Sequence, residues 1–441
     1  MSTTTRAPIP GEPSSRLAVT DTATDADTAT DADTDTDTDT DTDTDIVQRC
    51  RALVPRFLLR AEQHDRLGIF PEANFQDLKD AGLLSIMVPK THGGLGSSFA
   101  TYTQAIEALA QGDAATALAF NMHNIAIGSL AEVSVAGIGG SMARRMVAFR
   151  DWVFRETVDG KKLFASASSE PGIGAHFSKF KTAYHRVDGG FVLTGTKSFV
   201  SMAGFADYYV VAARAQDITG GDVAPLSYLV VEKDNPNIEF EFTWDTLGMR
   251  STSTNPMHIN GAFIPKDRLF GGSEGMALYK IVKEPHWLVG GYNGVYLGIA
   301  NAAFDAMISL LKKKRIPGTD KSLTQDPRVQ YQVGELAARL QSARLVTANA
   351  ASLVDTARGT ARANIAIHHA KLVCSELAPS LASRAIRLCG ASAISRKLPL
   401  ERLYRDARCG GLMPATSDEC LLYLGKSALG SDMSNPDETH W

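Results

Sequence analysis

The chain is short of several features that would narrow its role at once. Its 441 residues include only five cysteines (Cys50, Cys374, Cys389, Cys409 and Cys420), none in a CxxC pair. That argues against a structural zinc site or a disulfide framework, predicts no metal, and fits a reduced, cytoplasmic compartment. No apolar run reaches the ~18 residues of a membrane span, so none is expected. The opening MSTTTRAPIPGEPSSRL lacks an apolar stretch, so it does not read as a secretory signal. There is no GxGxxG at a strand-to-helix turn, no Walker loop and no long β-α alternation. A doubly wound nucleotide fold is therefore not expected. No nucleic-acid partner is expected either.

What is present points to a large folded body behind an acidic tail. Hydrophobic residues make up 44% of the chain and charged residues 21%, enough apolar burial to offset the entropy of ordering most of it. The length suggests two or three domains or one multi-layer subunit. Residues 1–45 carry eleven Asp, one Glu and two Arg, and Asp alternates with Thr from Asp33 to Asp45. Such a segment has almost nothing to bury and reads as disordered. The net charge of −4 then splits into about −10 for the tail and about +6 for the remainder. A mildly basic body suits an anionic cofactor or a phosphate-bearing substrate.

Hydrophobic periodicity gives the order α, then β, then α. From residue 46 to 164 the apolar spacing is helical, with two apolar helices broken near Gly112 and Asp113. FVLTGTKSFVS, DYYVVAARA, LSYLVVEK and MHINGAFIP predict a small antiparallel β domain over 165–272. Helical segments at about 277–313, 327–358, 361–389 and 415–430 predict a C-terminal four-helix bundle within 273–441. The expected class is α+β.

Chemistry-bearing groups are few and sit in polar loops. SASSEPGIGAH (166–176) offers hydroxyls and free N–H groups to an oxygen-rich ligand, or is simply a serine-rich turn. In GTKSFVSMAG, Phe199 and Ser201 are two apart and share a strand face. They could meet a ring system, or be core and rim. His123, in FNMHN, is a core histidine or a ligand contact. Glu284, in KIVKEPHWLVGG, precedes Pro285 and an apolar run. It is a helix-start acid favoured by the dipole, or a base.

Four motifs in order over 46–430 resemble the acyl-CoA dehydrogenase family: FPEANFQDLKDAGLLSIMVPKTHGGLG, SEPGIG, GTKSFVSMAG and LPLERLYRDAR. The resemblance implies an α–β–α subunit, a dimer or tetramer and non-covalent FAD. It also implies oxidation of an acyl thioester, with an electron-transferring flavoprotein as acceptor. It puts Ser169 at the flavin pyrimidine, Phe199 beside the flavin ring and the Ser201 hydroxyl at N5, with Thr416 on the FAD beyond the active-site loop. It implies that Lys314 stands in for a pyrophosphate Arg. RLCGA, with Arg387, Gly390 and Ala391, would touch a neighbouring subunit's FAD. His123 and Arg250 are grouped with the substrate contacts. Ala175 and His176 replace a Ser-Asp pair that holds the thioester's pantetheine arm, which leaves CoA, a carrier protein or neither as the carrier.

The departures from the family bear on the reaction. The commonest family base falls at Pro414, which can neither take a proton nor donate a backbone N–H. In a branch resembling the isovaleryl- and long-chain-type enzymes, the base lies six residues before a small-residue pair in another helix. Glu284 lies six before Gly290. The resemblance therefore implies Glu284 as the α-proton base of an FAD-dependent dehydrogenase. Pro414, and Pro285 where the family commonly has Arg, favour a rival: a flavin-dependent monooxygenase using reduced flavin and O2. A third class is a catalytically silent relative, against which the retained flavin-site hydroxyls argue.

Overall fold

The computed structural model describes residues 36–134, 138–174, 179–216, 226–275, 277 and 283–433. The chain divides into Met1–Thr40 and a body, Asp41–Trp441. Helix α1 covers Thr36–Leu67, so the last ten residues assigned to a disordered tail are helical. They are continuous with the rest of α1, and extending an existing helix costs less than nucleating one. Asp45 also pairs with Arg49 one turn on, at 2.5 Å.

Four more helices complete the N-terminal part: α2 (Glu72–Asp80), α3 (Phe99–Gly112), α4 (Ala114–Ala131) and α5 (Gly140–Val158). The break between α3 and α4 falls at Asp113. Its carboxylate caps α4 by accepting from the Ala115 N–H at 3.2 Å. Nearly all of α4 is buried, so it is a core helix with no solvent face to make polar.

The middle sheet contains β1 (Phe164–Ala167), β2 (Ala183–Val187), β3 (Gly190–Val200), β4 (Tyr208–Ala215), β5 (Leu226–Glu232), β6 (Ile238–Phe240) and β7 (Asn255–Pro265). The order is β1-β4-β2-β3-β7-β6, with β5 also on β4. Four pairings are antiparallel, as expected, but β1 and β2 both run parallel to β4. Alternating polarity marks a strand but not its partner's direction, and the short strands β1, β2 and β6 escaped the sequence reading.

The C-terminal helices are α6 (His286–Val289), α7 (Gly291–Lys313), α8 (Pro327–Ala357), α9 (Ala361–Cys389), α10 (Pro399–Arg408) and α11 (Ser417–Ala428). Helix α9 packs on α7, α8, α10 and α11, while α7 also packs on α3, which joins the two helical regions. Glycines on α7 permit that approach. A Cβ at Gly294 would lie 2.6 Å from the Thr103 carbonyl oxygen, and one at Gly298 2.5 Å from that of Glu107. The stretch His286–Lys313 is, unlike the sequence expectation, apolar and long enough for a membrane span by composition, with mean hydropathy 1.5. Most of it is buried inside the protein, as for a bundle core helix.

Candidate active site

A cavity of about 430 Å³ lies between α4, the sheet and the segment that begins α6. Its walls are mainly apolar, with Ile125, Leu130, Val210, Phe270 and Leu288 among them. Ser166 of β1 and Tyr228 of β5 add hydroxyls, and Glu132 and Glu284 are its acidic residues. A mostly apolar pocket with a few convergent polar groups is the usual form of a small-molecule site.

Glu284 lies just outside α6. Pro285 occupies the cap rather than the first helical position, and its carbonyl accepts from the N–H groups of Leu288 (3.0 Å) and Val289 (2.9 Å). On the same wall, Glu132 follows the last turn of α4. Its Oε2 accepts from His286 Nε2 at 2.9 Å and from Trp287 Nε1 at 2.8 Å, and Arg358 Nη1 sits 2.9 Å from Oε1. Burial would raise the Glu132 carboxyl, but the His286 bond and charge, with Arg358 and Trp287, hold it below the usual carboxylate range.

Beside the cavity, the Ser-Glu-Pro-Gly loop leaves β1 and is tied to the end of β3. The Ser198 N–H donates to the Ser169 carbonyl at 2.9 Å. Lys197 is fully buried, and its Nζ donates to Glu170 Oε1 and to the Ser168 carbonyl, each at 2.9 Å. Glu170 also accepts from the backbone of Lys181 (2.6 Å) and Thr182 (3.0 Å). Burial pulls Lys197 down to about 8 against the attraction of Glu170. Burial of Glu170 acts to raise its carboxyl, but the Lys181 N–H and the Lys197 charge outweigh it and keep the pair ionic at neutral pH.

This anchor brings Ser169 and the Phe199–Ser201 segment to one place. Phe199 has φ 51° and is 64% exposed, with its ring edge-on to Trp244 at 6.3 Å. An exposed aromatic held in a left-handed conformation is a costly arrangement. The Ser201 Oγ lies 2.9 Å from Thr254 Oγ1, which is 2.7 Å from Thr252 Oγ1.

Other expected residues stand apart. Thr416 caps α11 through a reciprocal pair with Glu419: its Oγ1 accepts from the Glu419 N–H at 3.2 Å, and its N–H donates to Glu419 Oε2 at 2.6 Å. Lys314 donates to the Cys389 carbonyl and to Ser392 Oγ (2.8 Å) at the end of α9. Arg387, Gly390 and Ala391 form the exposed tip of the same helix end. None of these residues lines the cavity.

Two expected substrate contacts stand away from the cavity. His123 is fully buried: its Nδ1 accepts from the Phe164 N–H (3.1 Å) and its Nε2 donates to the Leu84 carbonyl (2.9 Å). Burial pulls it down to about 4, so it is a neutral, satisfied core histidine joining α4 to β1. Arg250 donates to the Asp65 and Thr246 carbonyls and to Asp245 Oδ1, so it ties a turn to the end of α1 and does not line the cavity. Ala175 and His176 lie outside the described residues.

Sequence reasoning passed over four charged groups that shape the site. Lys197 and Glu170 were both inside quoted motifs, but their pairing spans 27 residues. Lys371 is fully buried, and its Nζ donates to the carbonyls of Gly410 (2.9 Å), Met413 (3.3 Å) and Ala415 (3.0 Å) and to Ser375 Oγ (3.1 Å). It thereby organises the loop carrying Pro414. A buried charge among apolar helix residues was the available signal for it. Glu132 gave none beyond its place at a helix end.

Comparison with known proteins agrees with this architecture. The acyl-CoA dehydrogenase N-terminal, middle and C-terminal domain models match residues 40–134, 165–262 and 291–416. The human mitochondrial short-chain specific acyl-CoA dehydrogenase is 30% identical over 381 residues, covering 85% of this chain and 86% of that protein. Butyryl-CoA dehydrogenase from Megasphaera elsdenii shares the fold at TM-score 0.77 and 22% identity, over 88% of this chain and 98% of that one. So does the dibenzothiophene monooxygenase TdsC from Paenibacillus sp. A11-2, at TM-score 0.75 and 23% identity, over 87% and 97%. With three consecutive domains matched and this identity over most of its length, the chain belongs to the acyl-CoA dehydrogenase family of flavoprotein oxidoreductases.

Proposed function

We propose that the protein binds FAD and oxidises an acyl thioester to its α,β-unsaturated product, with Glu284 as the α-proton base. The observation that carries this is the position of Glu284 on an apolar cavity that Ser166 also lines, three residues before Ser169 on the same strand and loop. The flavin is suited by the residues around that loop: the exposed Phe199 ring gives a planar group something to lie against, and the Ser169 and Ser201 hydroxyls give it polar contacts. What bound flavin supplies is an acceptor, at N5, for the β-hydrogen and its electron pair. Glu284 takes the α-proton as the Cα–Cβ double bond forms. The apolar walls keep water from the carboxylate and the acyl chain. Lys314, Arg387, Gly390 and Ala391, being remote from the cavity, would serve a neighbouring subunit's FAD in a dimer or tetramer. Thr416 would reach the FAD beyond the Pro414 loop. An electron-transferring flavoprotein is the proposed acceptor, and the proposed compartment is cytoplasmic.

A second reading is a flavin-dependent monooxygenase. Pro414 favours it, since the proline removes both the commonest family base and a backbone donor to the thioester carbonyl. The experiment is to mix purified holoprotein with a panel of acyl-CoA thioesters under anaerobic conditions and follow the flavin colour. Bleaching by at least one thioester is expected. Protein that stays oxidised with every thioester, yet consumes O2 when given a flavin reductase, would contradict the dehydrogenase reading.

A further inference from the structure

Glu284 follows Lys283, whose carbonyl accepts from Asn364 Nδ2 at 3.3 Å. It precedes a four-residue helix, α6, that ends at Gly290 before α7 begins. Gly290 keeps helical φ/ψ, so α6 is the first turn leading into α7, and the end of a helix frays unless contacts outside it hold it. Pro285 supplies no N–H and no side-chain charge at the position next to the carboxylate. Two polar contacts of α6 converge on one group: the ring N–H donors of His286 and Trp287, consecutive residues, both end on Glu132 Oε2. Glu132 comes from the end of α4, the most buried helix of the N-terminal part. Gly128, one turn earlier, lets the Trp287 ring lie flat on α4, since a Cβ there would sit 2.0 Å from it. Phe99 closes the other side, edge-on to both rings at 5.2 Å. Arg358 balances the charge on Oε1 from a half-exposed position, so its share is modest.

We propose that Glu132 is a positioning residue, whose carboxylate clamps the start of α6 to α4 and thereby aims Glu284 into the cavity. The inference rests on Glu284 being the base. It assigns to a residue on a different helix the alignment that Pro285 cannot provide. Both ring donors and the acceptor are buried, so the bonds act in a low dielectric and removing the acceptor leaves two donors unsatisfied.

The test uses holoprotein carrying Glu132→Ala or Glu132→Gln. It combines amide hydrogen exchange over residues 283–291 with anaerobic flavin reduction by the best acyl-CoA and a separate measurement of thioester affinity. E132A is expected to speed exchange in that segment at least ~10-fold and to slow reduction ~10- to 100-fold, as for a misaligned reacting group, with affinity held within about threefold. E132Q keeps an oxygen acceptor and is expected to recover most of the rate. Wild-type exchange in E132A, or a rate loss wholly explained by weaker binding, overturns the positioning role alone. Reduction by E284Q at the wild-type rate overturns the base assignment, and the positioning role with it. Should E132A fail to fold, His286→Ala removes one of the two donors and carries the same comparison.

Discussion

Two fully buried lysines hold the two loops of this site, and they are held in different ways. Lys197 faces a carboxylate, Glu170, and fixes the Ser169 loop to the end of β3, which carries Phe199 and leads into Ser201. Lys371 faces only neutral oxygens, three backbone carbonyls and a serine, and fixes the loop bearing Pro414. Burial pulls each ammonium down to about 8. The difference lies in what each lysine leaves behind when it is lost. Without Lys197 a buried carboxylate keeps two backbone N–H donors but loses its counter-charge. Without Lys371 only neutral oxygens lose a donor.

The largest expected effect is therefore that of Lys197→Met. It takes the counter-charge from the Glu170 carboxylate and should cost about 3–5 kcal/mol in urea unfolding, with loss of retained flavin. Lys371→Met should cost less, about 2–3 kcal/mol, since it leaves unsatisfied carbonyls but no charge. Equal losses would break the contrast between the two anchors.

The smallest effect is a pH dependence. The folded pKa of Lys371 lies below its ordinary value of 10.5. The unfolded chain therefore holds more protons between the two values, and stability rises with pH in that window. Wild type should thus gain about 2 kcal/mol over K371M between about pH 8 and about pH 10. Unfolding midpoints of both proteins at the two pH values measure it. A fall in the difference would show that the ammonium, not the neutral amine, is the form the fold prefers.

How much of this was readable in the sequence follows from how far each contact reaches along the chain. The helix-strand-helix order came from local periodicity, and the break at Gly112 and Asp113 from a capping residue. The Ser169 loop and the Phe199–Ser201 segment were readable because each is a continuous motif, but Ser201 lies in the turn after β3 and Phe199 has φ 51°, so the two do not share a regular strand face. What joins them is a pair 27 residues apart, and Lys371 reaches 39 to 44 residues to its carbonyls, so neither link has a local pattern. His123 was open to two readings because a buried histidine looks the same in sequence whether a ligand or the Leu84 carbonyl and Phe164 N–H satisfy it. Arg250 is a related case: its bonds to Asp65 and Thr246 tie a turn to the end of α1, a long-range contact with no local signal. The helical Asp-Thr residues 36–45 show the converse, a composition that argues for disorder overridden by continuity with α1.

The central claim is that Glu284, and not a group at position 414, removes the substrate proton. The most direct measurement is single-turnover anaerobic flavin reduction by a saturating acyl-CoA in wild type and Glu284→Gln. The amide keeps the shape of the side chain and removes its basicity, so the rate should fall ~10²- to 10⁴-fold while the thioester still binds. An E284Q protein that bleaches as fast as wild type would contradict the account.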